Sequence, residues 1–254
     1  MELTILGSGT YKPELKRHAS SYLVKINKQN LVFDFGRGVL DNLLKIGVNY
    51  YDIDEIFITH THSDHCAELI SYLHVALGKP LKGKVREKDI TIYGPVGFKE
   101  VMNYFYHAFH LKKFKYRIFI RELRNLNSIV GKGWKLKCYS TNHSKILKSL
   151  AYRLESKNKV LAYSGDTTDC LGLRQACNQA DLAILEASWP KALKAKDHLT
   201  GEEAGKIAQK VGIKKLVLTH MAPYYLENFD VKGEAKKFYN GPVILAKDLM
   251  KIKI

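Results

Sequence analysis

Thr59-His60-Thr61-His62-Ser63-Asp64-His65 places three imidazoles and a carboxylate within six positions, directly after the apolar run Ile56-Phe57-Ile58. A fold that accepts this segment must deliver a strand end into a polar centre. Side chains of an extended chain alternate between faces, so His60, His62 and Asp64 share one side if the strand backbone persists past Thr59. Imidazole nitrogens with one carboxylate suit zinc or a similar borderline cation, and a donor set of this size holds two ions if further ligands arrive from elsewhere. The competing reading is a solvated histidine-rich loop. A stray histidine is common, whereas H-x-H-x-D-H beyond a buried-type strand is seldom accidental.

The rest of the chain reads as alternating strands and helices. Residues 3–6, 22–26 and 31–35 predict an opening meander broken at Gly7-Ser8-Gly9 and at Asn27-Lys28-Gln29-Asn30. Helical spacing at 39–44 stops at Gly47, and 53–58 forms the strand that delivers the histidines. Helices are expected at 67–77, 96–110, 171–178 and 201–211, and later strands at 90–93, 116–123, 135–139, 150–154, 160–163, 182–185 and 216–218. No linker divides the chain, so residues 1–254 read as one mixed α/β domain. An internal echo joins Ile53-x-x-Ile56-Phe57-Ile58-Thr59-His60 to Ile213-x-x-Leu216-Val217-Leu218-Thr219-His220. A duplicated half-domain would bring two such strand ends to one seam.

Composition narrows the class. No stretch approaches the roughly 18–20 apolar residues of a membrane span, and the start lacks a basic leader, so a cytoplasmic protein is expected. Cys66, Cys138, Cys170 and Cys177 show no paired C-x-x-C spacing, which predicts reduced, mostly buried thiols. Forty-one Lys plus Arg against 25 Asp plus Glu give +16, a balance that favours a polyanionic partner. Residues 79–88 hold five basic residues, and 112–124 hold six with Phe114, Tyr116 and Phe119 among them. Cations beside rings could stack on bases. The same alternation also describes a half-buried strand with a charged outer face, the reading we favour.

Further ligands are sought just past other apolar strands. His143 lies in Ser140-Thr141-Asn142-His143-Ser144, Asp166 in Ser164-Gly165-Asp166-Thr167, and His220 ends the echo strand. Together with Leu6-Gly7-Ser8-Gly9, Leu31-Val32-Phe33-Asp34-Phe35-Gly36 and the H-x-H-x-D-H segment, these residues resemble the metallo-β-lactamase superfamily, and within it the ribonuclease Z-like group, over residues 2–222. The resemblance implies a four-layer αββα sandwich with two divalent metal ions, zinc first and manganese or iron next. It implies that His60, His62 and His143 hold one ion, Asp64, His65 and His220 the other, and that Asp166 bridges them. It also implies a possible homodimer. Leu185-Glu186-Ala187-Ser188 resembles that group's His-Glu-Ala-Thr segment, and His198-Leu199-Thr200-Gly201-Glu202-Glu203-Ala204 its His-Ser-Thr-x-x-x-Ala segment, so Glu186 orients His198, which protonates the leaving oxygen. The bland reading of His198 is a residue near a helix start capped by Thr200 or Asp197.

Charge accounting then selects the reaction. Two cations about 3.5–4 Å apart bring hydroxide within reach of neutral pH and neutralise phosphate oxygens. Asp64 accepts the water proton, and His198 protonates an alkoxide that would otherwise leave badly. A lactam needs no such acid pair, so a phosphodiester is expected. The resemblance departs at one place: the long arm with which ribonuclease Z grips tRNA falls between the His and bridging Asp motifs, and here only 22 residues separate His143 from Asp166. The armless branch resembles small phosphodiesterases acting on cyclic phosphates or nucleotides, and the expectation is a dinuclear metal phosphodiesterase of the ribonuclease Z-like group whose substrate is left unassigned. The alternatives are a tRNA 3′-processing endoribonuclease and a nucleic-acid-binding module that has lost catalysis.

Overall fold

The computed structural model describes residues 1–77, 86, 88–111 and 117–254. β1 (Glu2–Gly7), β2 (Ser21–Ile26) and β3 (Gln29–Phe33) pair antiparallel. Asn27 and Lys28 between β2 and β3 have φ of 48° and 66°, the left-handed pair whose twist matches the flanking strands of a two-residue hairpin. After α1 (Val39–Lys45), β4 (Glu55–Phe57), β5 (Ile90–Pro95) and β6 (Ile118–Leu123) add in parallel. α2 (Ser63–Cys66) and α3 (Leu69–Leu77) lie between β4 and β5, and α4 (Phe98–Ala108) between β5 and β6.

The second half repeats this plan. β7 (Ser128–Gly131), β8 (Trp134–Ser140), β9 (Leu150–Ser156) and β10 (Lys159–Tyr163) form an antiparallel meander. β11 (Leu182–Glu186), β12 (Leu216–Thr219) and β13 (Val243–Leu245) follow in parallel, connected through α5 (Leu171–Cys177), α6 (Gly201–Val211), α7 (Pro223–Asn228) and α8 (Val231–Lys236). β14 (Lys251–Lys253) returns to the edge of the first sheet beside β1. The sheet orders are β14-β1-β2-β3-β4-β5-β6 and β13-β12-β11-β10-β9-β8-β7.

Three apolar layers hold these elements together. Leu3, Ile5, Tyr22, Phe57, Tyr152 and Ile184 belong to the core between the sheets. Leu6, Val32, Ile56 and Ile92 face the helical layer of α1, α3 and α4, and Ala162, Leu185 and Leu218 face α5, α6 and α8. Strands buried on both faces explain why the central segments read as continuous apolar runs rather than as alternation. The result is the expected four-layer αββα sandwich, and among the described residues no helix is long and apolar enough to cross a membrane.

Several expectations change. The echo strands prove to be β4 and β12, one in each sheet, yet they are not equivalent: β4 is the first parallel neighbour of its meander and β12 the second. An apolar run ending in Thr-His is what any parallel strand looks like when it delivers a ligand at its C-terminal end, so the echo marks shared function rather than shared register. The predicted strand at 31–35 ends at Phe33, because Asp34 turns out of the ladder at φ 55°. β7, β13, β14, α7 and α8 are too short to carry a periodic signal of their own. Residues 79–85 and 87 of the first basic run, and Lys112, Lys113, Phe114, Lys115 and Tyr116 of the second, lie outside the described residues. Of the remainder, Arg86 is buried and donates to the carbonyls of Tyr51, Ile53 and Asp89 at 2.9 Å. Lys88 pairs with Asp54 at 2.6 Å, and Arg117 lies over the Phe119 ring of edge strand β6.

Candidate metal centre

The C-terminal ends of β3, β4, β10, β11 and β12 converge, together with the loop after β8, and every ligand candidate from the sequence lies there. His60 follows β4, and the extended backbone stops soon afterwards. His62 (φ −64°, ψ 147°) is the N-cap of α2, and Asp64 and His65 sit on that helical turn. The one-sided comb expected from continued strand geometry is therefore not formed. The turn instead divides the segment, sending His60 and His62 toward His143 and sending Asp64 and His65 toward His220.

Two groups of donors result. His62 Nδ1 lies 3.1 Å from His60 Nε2 and 3.0 Å from His143 Nε2, with Asp166 Oδ2 at 3.8 Å from His60 and 3.9 Å from His143. In the second group, His220 Nε2 is 3.1 Å from Asp64 Oδ2 and 3.3 Å from His65 Nε2. Asp166 stands between the groups, with Oδ1 3.3 Å from His65 Nε2 and Oδ2 3.4 Å from His220 Nε2. Ligands placed tetrahedrally about 2.0–2.1 Å from a zinc-sized ion stand roughly 3.3 Å apart, so these separations fit such cations. Asp166 Oδ1 is buried and makes no hydrogen bond of acceptable geometry among the described residues. An orphaned anionic oxygen in a ring of imidazoles is accounted for by a cation.

The surrounding polar groups fix which nitrogen of each ring is bare. Asp34 is fully buried and accepts from the Thr59 amide (2.7 Å), the Thr59 hydroxyl (2.9 Å), the Tyr163 hydroxyl (2.6 Å) and His65 Nδ1 (2.6 Å). With Nδ1 of His65 donating, Nε2 carries the lone pair toward Asp166. Thr59 spends its proton on Asp34 and so accepts from His60 Nδ1 at 3.0 Å, and His143 Nδ1 donates to the Asp197 carbonyl at 3.0 Å. Ser188 donates to Glu186 and accepts from His220 Nδ1 at 2.7 Å. In each case Nε2 is left bare toward the cluster, the usual outer arrangement of metal-binding histidines. Burial, and then His65, holds His60 well below its ordinary pKa, so it stays neutral.

His198 belongs to neither of these groups, although with Asp166 and His220 it makes a third set of donors within 4.8 Å of one another. Its Nδ1 lies 3.0 and 3.1 Å from the Glu186 oxygens and 3.9 Å from Asp166 Oδ2. Burial works against its charge, but Glu186 outweighs burial and pushes its pKa up to about 9. Glu186 is itself buried, and the Thr167 amide donates to it at 2.6 Å. Cys66, beside His65, is buried with its pKa raised to about 12 by burial, which makes it an inert thiol rather than a ligand. All four cysteines are free.

The sequence reading left two groups of residues without roles. Asp34 was visible only as part of an apolar motif, although an acidic residue at the end of a buried strand was a usable signal. Asp248 gave no signal. It accepts from the Ser8 amide (2.9 Å), the Ser8 hydroxyl (2.8 Å), the His18 amide (2.7 Å) and His18 Nδ1 (2.8 Å), pinning the loop after β1, while the Ser8 carbonyl accepts from the His220 amide at 3.1 Å.

The family profile described as "Beta-lactamase superfamily domain" matches residues 30–221. The ribonuclease Z of Archaeoglobus fulgidus is 23% identical over 308 residues, covering 100% of this chain and 97% of the relative. Because that alignment is longer than 254 residues, the relative carries segments absent here. Among solved structures, the metallo-beta-lactamase fold protein YhfI from Bacillus subtilis superposes with a TM-score of 0.85 at 22% identity, covering 99% of each chain. The short form of human tRNase Z gives 0.81 at 26% identity, covering 100% of this chain and 99% of the other. With this match over most of its length and with two donor groups able to hold divalent cations, the chain belongs to the beta-lactamase superfamily and is a metal-dependent hydrolase of the ribonuclease Z-like group.

Proposed function

We propose that this hydrolase is a phosphodiesterase that works with two zinc ions and uses Glu186 and His198 to protonate the leaving oxygen. The observation that carries this reading is the Glu186–His198 pair at 3.0 Å, set 3.9 Å from Asp166 at the edge of the donor groups. His60, His62, His143 and Asp166 would hold one cation, and Asp64, His65 and His220, with Asp166 shared, the other. When bound, the cations would acidify water and neutralise the phosphate oxygens. Asp64, whose Oδ2 lies 3.1 Å from His220 Nε2, accepts the proton of the attacking water. Glu186 takes the Nδ1 proton of His198 as a hydrogen bond, so the second proton of the imidazolium sits on Nε2 and is donated to the departing alkoxide. An alkoxide needs that proton and a thiolate does not, so the pair favours an oxygen leaving group, as in a phosphodiester, over a thioester. We take residues 1–254 to act as one domain, because the donors come from both sheets, and we place its work in the cytoplasm.

Two variants test this division of roles. His198→Ala should retain bound zinc but lose about 10²–10⁴-fold in alkyl diester hydrolysis, with a smaller loss on p-nitrophenyl esters. Asp166→Ala should lose metal and activity together. Equal metal loss in the two variants would overturn the assignment.

Cleavage of precursor tRNA is the second reading, favoured by the alignment of proteins named Ribonuclease Z along the whole chain. Against it stands the hairpin that replaces the arm. β9 and β10 are joined by Lys157 and Asn158 alone, at φ 48° and 60°. Incubation with a precursor tRNA beside cyclic nucleotides separates the two substrates.

A further inference from the structure

A cavity of about 390 Å³ opens beside the donor groups, within the range of roughly 300–1,000 Å³ typical of small-molecule sites. The cavity is lined by donors of the cluster with His198 and by the rings of Tyr11, Trp189 and Tyr225. The Trp189 and Tyr225 rings are 5.2 Å apart with planes 43° to one another, and Tyr225 leans on Phe229 at 6.2 Å. Trp189 is held where it is: its backbone bridges to Thr200, its amide donates to the Leu199 carbonyl at 3.5 Å, and it follows Ser188 of the Glu186 network. The same short pairing therefore carries the indole and His198, fixing their separation.

We propose that Trp189 and Tyr225 form a stacking shelf for a nucleobase, so that the substrate is a phosphodiester bearing a nucleoside on the oxygen that His198 protonates. This rests on the phosphodiesterase reading above. Aromatic faces stack any base without reading its edge. The rings are only half-buried, which suits a flat ring with polar edges better than an acyl chain. Lys12 lines the same cavity and places a cation near the phosphate. No bond is made or broken at the shelf. The reaction remains water addition at phosphorus with the proton of His198 Nε2 passing to the nucleoside oxygen.

The zinc-loaded enzyme should be compared on an RNA dinucleotide and on its analogue lacking the leaving-side base. The wild type should favour the base-bearing diester by about ten-fold or more in kcat/KM, and W189A and Y225A should each bring that ratio toward one. Trp134 is buried in the inter-sheet core, so Trp189 is the reporter, and adenosine 5′-monophosphate should quench wild-type tryptophan emission whereas ribose 5-phosphate should not. A wild-type ratio near one, or a ratio undiminished in both variants, overturns the shelf. If no diester, bis-p-nitrophenyl phosphate included, is hydrolysed, the phosphodiesterase reading fails instead, and quenching by adenosine 5′-monophosphate but not by ribose 5-phosphate still decides for the shelf, while equal quenching by both, or by neither, decides against it.

Discussion

Asp34 shows how one buried carboxylate sets the chemistry of a centre that it does not enter. It accepts four hydrogen bonds, and one of them turns the bare nitrogen of His65 inward. An asparagine at this position would present an amide N–H to donors already aimed at oxygen. Asp34→Asn should therefore weaken metal binding by about 10–100-fold, read as metal retained per chain against a competing chelator. Glu55 behaves in the opposite sense. Burial pushes its carboxyl up to about 7, against the opposing hydrogen bond with Tyr93, and Oε2 has no hydrogen-bond partner among the described residues. Its folded-state pKa lies above the unfolded value, so the folded state binds the extra proton and stability falls as pH rises from about 4.5 through 7. Glu55→Gln should stabilise by about 1–2 kcal/mol at pH 8, after discounting for partial solvent screening, and by almost nothing at pH 4. Equal effects at both pH values in denaturant titrations would refute this cause.

At the scale of elements, the site is held by how helices begin. α6 starts with a capping box: Thr200 accepts from the Glu203 amide at 3.2 Å, and Glu203 accepts from the Thr200 amide at 3.0 Å. His198 lies two residues upstream, so this cap also fixes the proposed acid. Thr200→Ala should cost about 1 kcal/mol, a Tm fall of about 2–4 °C, and should lower kcat on alkyl diesters more than on p-nitrophenyl esters. Thr200→Ser should restore both. α2 decides a different matter. A strand continued past Thr59 would have put His60, His62 and Asp64 in one row, whereas its single turn assigns the segment's donors to two groups. The two-residue β9–β10 turn is set by Lys157 and Asn158, which adopt the left-handed conformations that close the hairpin directly.

Over the whole molecule, part of the positive excess lines a cavity beside the donor groups. A second cavity, about 770 Å³, adjoins His143 and is lined by Arg124, Lys145, Lys148 and Lys196. If RNA phosphates run along it, replacing Lys145 and Lys148 together by alanine should lower the slope of log affinity against log salt for single-stranded RNA by about 1.4, at roughly 0.7 per phosphate contact. Fluorescence anisotropy over a salt series reads that slope, and an unchanged value would place the contacts elsewhere. The part of this architecture legible in the sequence was the part encoded by local pattern: apolar runs gave the central strands, and His or Asp residues just beyond them gave the seven donor candidates, while the Glu186–His198 pair came from resemblance to the ribonuclease Z-like group. The division of those donors between two groups came only with the family resemblance and not from local pattern, and the inward turn of Asp34, the clamp of Asp248 on Ser8 and His18, and the shelf of Trp189 and Tyr225 were not legible. Each depends on residues far apart in the chain that meet only when the two sheets close face to face, and a linear pattern records which side chains a strand delivers but not what stands opposite them.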